Sequence, residues 1–303
     1  MIFVGCSHNN ASLHLKETKM HTKNLPAQEK LLNYAYLADS DSLLDTFFNN
    51  WAATIKPLSQ ESYNSLDEGS KETYDVVRAF YNPEYLYESE WSDSLYKDVK
   101  YYILRSQIRV CMTDSIQFCT KAKSDSITMA NLQLKAQTNK NLYSKDFINA
   151  DGSLTKRSLK YFKDPPKYSK STTTIIKTIQ NFYPQISSNG KGILYLTDNY
   201  EKLLNKFIGF DFETDNNLMS PSTSERDSEK KQDFLEKNIK IFASHWGEHW
   251  EIETAPVVTD VIFNKEFSLA IVEFSVIYQG GLALLRKVDN KWIVEFGKLT
   301  WIT

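Results

Sequence analysis

Glycine is scarce, with ten in 303 residues, and the positions of the ten exclude several chemistries. They stand at 5, 69, 152, 190, 192, 209, 247, 280, 281 and 297. No pair frames a serine as G-x-S-x-G, so the nucleophile-elbow signature is missing. Gly190-Lys191-Gly192 lacks the spacing and the Lys-Ser/Thr of a phosphate-binding loop, and no dinucleotide fingerprint occurs. With only eight prolines, collagen-like and low-complexity chains are excluded as well. The three cysteines, Cys6, Cys111 and Cys119, form no C-x-x-C and no paired Cys/His spacing, which removes the common structural zinc sites. Cys111 and Cys119 are left free or bridged, a choice that geometry makes. No apolar run approaches the roughly 18–20 residues that cross a bilayer as a helix.

What is present suits a folded body. Hydrophobic residues make up 41% and aromatics 13%, enough for substantial cores. The net charge of −2 conceals an uneven distribution. Residues 32–95 hold 3 Lys/Arg against 12 Asp/Glu, residues 96–192 hold 17 against 6, and residues 193–303 hold 12 against 18. The basic block is either an anion or nucleic-acid surface, with Arg105 and Arg109 as contacts, or is neutralised by the acidic blocks beside it. No compact nucleic-acid motif accompanies the charge, so neutralisation is expected and nucleic acid is not.

Periodicity places the elements. In "DSLLDTFFNNWAATIKP", Leu44, Phe47, Phe48, Trp51 and Ile55 recur at helical steps, with capping residues at 39–41 and a stop at Pro57. A second helix is expected over 68–81, with Tyr74, Val77 and Phe80 inward. "KYYILRSQIRVCM" alternates as one strand: Tyr102, Leu104, Ile108, Val110 and Met112 on one face, Arg105, Gln107 and Arg109 on the other. Short strands are expected at 115–120 and 127–137, and a turn at 149–153. "TDNYEKLLNKFIGF" reads as a short helix, and a longer one is expected from Ser224 to Ala243. Four strands then follow at 256–264, 267–279, 281–288 and 291–302, joined as a meander. The fold class is α+β, helices packed on a mainly antiparallel sheet. Three regions are expected: 1–31 a tether, 32–165 an N-terminal α+β region, and 166–303 a C-terminal α+β region carrying the meander, with the boundary in "KDPPKYSKS".

The start of the chain suggests a location. Phe3-Val4-Gly5-Cys6 resembles a bacterial lipobox, with Cys6 as the acylated residue, and residues 7–29 are polar enough for a flexible spacer. Only five residues precede Cys6, short of a basic segment plus about 7–15 apolar residues, so lipidation expects an alternative start upstream. The expected location is then the cell envelope, with the membrane as partner through the lipid; a chance Val-Gly-Cys would leave a cytoplasmic protein.

"ILYLTDNYEKLLNKFIGF", "FLEKNIKIFASHWGEHW" and "AIVEFSVIYQGGLALLRKVDNKWIVEFGKLTWI" together resemble a group of uncharacterised lipoproteins of Bacteroidetes, over roughly 160–303 and more loosely around Phe47 to Trp51. In that group the stretch matching 245–250 more often reads His-Trp-Gly-Gly-Tyr-Trp, so Glu248 and His249 depart from it. The resemblance implies an envelope lipoprotein and no particular activity. The helix–meander layout is also similar to nuclear-transport-factor-two-like and cystatin-like folds, which implies architecture without a site.

Candidate chemistry is thin. His245-Trp246-Gly247-Glu248-His249 matches H-x-x-E-H, but Gly247 interrupts the helix that the motif needs, and the other histidines all lie in the tail. No metal or cofactor is expected there. Trp246 and Trp250 are expected to pack where the chain turns into the sheet. Glu273 and Glu295, with Tyr278 nearby, are the acids an isomerase-like pocket would use; otherwise they face solvent or pair with bases. Trp292 and Trp301 fall on opposite faces by parity, so one is core and the other a ligand or interface aromatic. The function expected is a binding or interaction module for a small molecule, glycan or protein. The alternatives are an enzyme using a carboxylate in a helix–sheet cavity, and an anion binder.

Overall fold

The computed structural model describes residues 25–81, 96–118, 168–209, 225–243, 250–276 and 279–302. It is α+β. The N-terminal helices are α1 (Leu25–Leu37), α2 (Asp41–Thr54), α3 (Gln60–Asn64) and α4 (Glu68–Phe80). Strands β1 (Tyr101–Arg105), β2 (Gln107–Thr113), β3 (Ile116–Phe118), β4 (Tyr168–Lys170), β5 (Thr173–Gln180) and β6 (Gly192–Leu196) follow. Next come α5 (Asp198–Ile208), α6 (Glu225–Leu235), β7 (Phe242–Ala243) and β8 (Trp250–Glu251). The meander closes the chain with β9 (Val257–Asn264), β10 (Leu269–Val276), β11 (Gln279–Val288) and β12 (Lys291–Ile302).

The main sheet has the order β12-β11-β10-β9-β2-β5. Its pairs are antiparallel except β2 with β9, which run parallel. Helix α4 lies across one face. There Tyr74, Val77 and Phe80 meet Val110, Phe263, Val272 and Trp292. The opposite face carries Cys111, Ile262, Ile271 and Leu284. The antiparallel β3–β4 pair lies over that face: Ile116 joins its apolar cluster, and Lys170 Nζ lies 2.6 Å from Glu273 Oε1.

A second core forms where α1, α2, α5 and α6 meet the parallel pair β1–β6. Helix α2 starts where Ser40 Oγ accepts from Leu43 N, and it buries Leu44, Phe47, Phe48 and Trp51 on one stripe. The Trp51 and Tyr200 rings stack at 4.2 Å, and Trp51 Nε1 donates to the Tyr195 carbonyl. Thr197 caps α5, and Gly209 ends it at φ 110, in the left-handed region that glycine enters without penalty.

Two expectations need correction. The strand expected over 100–112 is two strands in two sheets, broken at Ser106. Ser106 N and Oγ both donate to the Leu196 carbonyl, while its own carbonyl accepts from Phe182 N. Tyr102 and Leu104 therefore do not share a face with Ile108 and Val110, and Cys111 rather than Met112 is buried beyond them. The helix expected to reach Ala243 stops at Leu235. Buried Asn238 takes over there, its carbonyl accepting from both Lys100 N and Tyr101 N and its amide donating to Asp45. Both cores draw residues from either side of residue 165. The strand expected at 127–137 and the turn at 149–153 lie outside the described residues.

Candidate functional site: a tyrosine-lined cleft where the two cores meet

Between α2 and α4 the chain turns through Pro57, Leu58 and the short helix α3, and the stretch after β5 comes back against it. Leu58 N donates to the Tyr183 carbonyl and pins the two together. The space left between them is a cleft of about 290 Å³ lined by Pro57, Leu58, Ser59, Gln60, Tyr63, Tyr74, Arg78 and Gln185.

Helix α4 supplies the chemistry. Tyr74 and Arg78 are four residues apart and share a face. Asp75 bridges the other groups: Oδ2 accepts from Tyr63 Oη at 2.8 Å, and Oδ1 accepts from Arg78 Nη1 at 3.1 Å. The guanidinium carbon sits 5.6 Å from the Tyr63 ring centre. Burial and the Asp75 hydrogen bond push the Tyr63 hydroxyl up to about 12, so it stays protonated and neutral. Tyr74 is 3% exposed. Its oxygen accepts from Tyr183 N, and no acceptor for its hydroxyl hydrogen is found among the described residues. Burial raises its pKa too. The Tyr74 ring is fixed by Phe182 at 4.4 Å and by the edge of Tyr63 at 6.5 Å. Arg78 keeps 47% of its side chain exposed, so its remaining N–H groups are reachable from solvent.

The residues expected from sequence lie elsewhere. Arg105 is held by Glu253 through two hydrogen bonds, and Arg109 by buried Asp260 at 2.6 Å. Glu273 pairs with Lys170, and Glu295 with Arg286. Arg109, Asp260 and Glu273 stand in one row across β2, β9 and β10, so a candidate anion contact and a candidate acid share a single cluster. It is self-neutralising: two cations face two carboxylates, and Cys111 Sγ adjoins Asp260 Oδ1 at 3.8 Å. Burial, then the Asp260 charge, push the Cys111 thiol up to about 11; it is free and buried. Trp250 packs against the core around β1–β6. Cys6, Cys119, Trp246, Tyr278 and the rest of the H-x-x-E-H stretch lie outside the described residues, as does the side chain of Trp301. Among the described residues no group of three or more His, Cys, Asp or Glu is placed to hold a metal, and no helix is long and apolar enough to cross a membrane.

The cleft residues were not anticipated. The legible signal was a lone i,i+4 pair, Tyr74 and Arg78, beside Asp75 in an otherwise acidic block. Gln185 joins them from more than a hundred residues away and leaves no local trace. Comparison with protein-family models, curated proteins and solved structures yields no match for this chain.

Proposed function

We propose that this chain is a cell-envelope lipoprotein anchored through Cys6, whose α+β body is a binding module with the Tyr63–Tyr74–Arg78 cleft as its ligand seat. The observation that carries the reading is the contrast between that cleft and the other polar groups. In the cleft, Tyr74, Arg78 and Gln185 converge with bonding capacity to spare. The acids and arginines that an isomerase-like or anion-binding reading would use are each taken by another charged side chain: Arg105 by Glu253, Arg109 by Asp260, Glu273 by Lys170 and Glu295 by Arg286. A ligand seat at the junction of two cores, with aromatic walls and a few converging polar groups, is the usual placement for small-molecule recognition. The helix laid across the meander supports reading the layout by analogy with nuclear-transport-factor-two-like folds, and that analogy transfers no site.

Two measurements test the parts separately. Expression from the gene with its upstream DNA, with alkyne-palmitate labelling, is expected to mark the wild type and not Cys6→Ala; equal labelling overturns the anchor. A thermal-shift screen of small molecules is expected to return hits that vanish in Gln185→Trp, which plugs the cleft from its exposed rim. Hits that survive the plug overturn the seat.

A further inference from the structure

Resting on that reading of the cleft, we infer that its ligand is a neutral sugar ring, free or as the end residue of an oligosaccharide. Size comes first. About 290 Å³ is at the lower end of small-molecule sites, which leaves room for one ring rather than an extended cofactor.

Charge comes second. Residues 57–81, which build most of the lining, carry five carboxylates (Glu61, Asp67, Glu68, Glu72, Asp75) against two cations (Lys71, Arg78), and Lys177 and Lys287 neutralise Asp67 and Glu72, so the segment has no excess of positive charge. The cation in the cleft is matched by Asp75 at 3.1 Å. An incoming anion meets a single guanidinium already paired with Asp75, with no second cation in the lining, and is not favoured over a neutral ligand. An incoming cation finds no carboxylate in the lining, and Asp75 beside it already accepts from Tyr63 and Arg78.

Hydrogen-bond inventory comes third. The lining offers donors in the remaining Arg78 N–H groups, the Tyr74 hydroxyl and the Gln185 amide. It offers acceptors in the Gln185 and Gln60 carbonyl oxygens, Gln60 giving its own amide hydrogen to Asn64. A ligand that gives and takes at several points in one plane satisfies that mixture, as the hydroxyls of a sugar do. Its C–H face would lie on the apolar part of the lining: Pro57, Leu58 and the Tyr63 ring. A purely apolar ligand would leave the buried Tyr74 hydroxyl without an acceptor, and such a group is costly to strand.

The test is ligand-observed and protein-observed NMR on the full chain with glucose, galactose, mannose and N-acetylglucosamine, glucuronate as the charged counterpart, and an oligosaccharide ending in the best monosaccharide. A neutral sugar is expected to bind saturably with a dissociation constant of about 0.1–10 mM and to shift resonances of Tyr63, Arg78 and Gln185. Glucuronate is expected to bind at least about tenfold more weakly than glucose. Arg78→Gln and Gln185→Ala, each checked for an unchanged melting temperature, are expected to weaken binding about five- to tenfold. A tighter oligosaccharide assigns the ligand to a glycan end, and equal affinity assigns it to the free sugar. Glucuronate binding as tightly as glucose, or no cleft shift with any sugar, overturns the inference. In that case small-molecule hits still blocked by Gln185→Trp would leave the cleft as a seat for another chemistry, whereas sugars shifting another surface would refute the seat itself.

Discussion

Glu72 shows how one buried residue holds a helix to a sheet. Its Oε1 takes Lys287 Nζ at 2.5 Å and its Oε2 takes Trp292 Nε1 at 2.8 Å, so both oxygens are bonded beneath α4. The Lys287 ammonium also lies 5.9 Å from the Trp292 ring centre. Removing the carboxylate strands a part-buried ammonium and an indole N–H together. Glu72→Ala is therefore expected to destabilise by about 2–4 kcal/mol, read as a lowered urea midpoint. The double change Glu72→Leu with Lys287→Leu is expected to recover most of that loss, because it removes both charges and fills the space. A double variant as unstable as the single one would show that packing, and not the stranded charge, sets the cost. Cys111 illustrates the opposite use of burial. Its thiol is pushed up to about 11, so thiolate is scarce near neutral pH. Alkylation followed by position-resolved mass spectrometry is expected to leave Cys111 unmodified in the native protein at pH 8 and to modify it in urea.

At the element scale, α4 is fastened at its N-terminus by charge. Asp67 caps the helix, its Oδ1 accepting from Ser70 N, and the same carboxylate meets Lys177 of β5. Burial opposes ionisation there, yet the bonds from Lys177 and Ser70 prevail and hold the carboxyl at about 2, below its ordinary 3.8. A depressed folded-state value means stability that is present above about pH 4 and lost as pH falls through 2. The carboxylate is 65% exposed, so the ion-pair share is modest, about 0.5–1 kcal/mol. Asp67→Asn keeps a capping oxygen and is expected to flatten that part of the acid limb. Asp67→Ala is expected to cost about 1–2 kcal/mol at pH 7. An acid limb unchanged in Asp67→Asn would remove Asp67 from the account. The neighbouring strand β5 is an edge of the sheet among the described residues, and Ile175 and Ile176 are exposed on it. The register slips between Val110 and Cys111, leaving Ile176 as an extra residue on β5. Such a bulge twists an edge out of reach of a second strand. Deleting Ile176 is expected to produce concentration-dependent association in light scattering, and a strictly monomeric deletion variant would refute that role.

Legibility changes at the scale of the whole molecule. Helices α2 and α4 and the meander were readable, because each buries one local stripe or one alternating face: Phe47, Phe48 and Trp51 in the first, Val272 and Phe274 in β10. The break at Ser106 was not readable, since a serine between Arg105 and Gln107 keeps the alternation while its hydrogen bonds to Leu196 and Phe182 send the strand to another sheet. Nor was the end of α6, where Lys237 answers Asp39 and Asp41 from the far end of the sequence rather than its own helix dipole. The cleft was hidden for the same reason, being closed by Gln185 against residues 57–78. What sequence could not show is thus the interleaving of the two halves, and that interleaving has a consequence for folding. The meander alone would expose the face that α4 covers, including Phe263 and Trp292, and would lose β2 from beside β9. The helices before residue 81 would in turn lose Leu194, Tyr195, Leu204 and Leu235, which fill their core. Further bonds tie the two halves of the chain: Thr254 Oγ1 accepts from Ile103 N, Thr254 N donates to the Ile103 carbonyl, and Tyr81 Oη donates to the Pro256 carbonyl. Segments 1–165 and 166–303 made separately are therefore expected to lack cooperative urea transitions, and on mixing to recover one transition seen alike by tryptophan fluorescence and far-ultraviolet dichroism. The intact chain is expected to show that same single transition. A cooperative transition in isolated 166–303, or two separated transitions in the intact chain, would mean that the halves are autonomous and that the shared sheet only docks them.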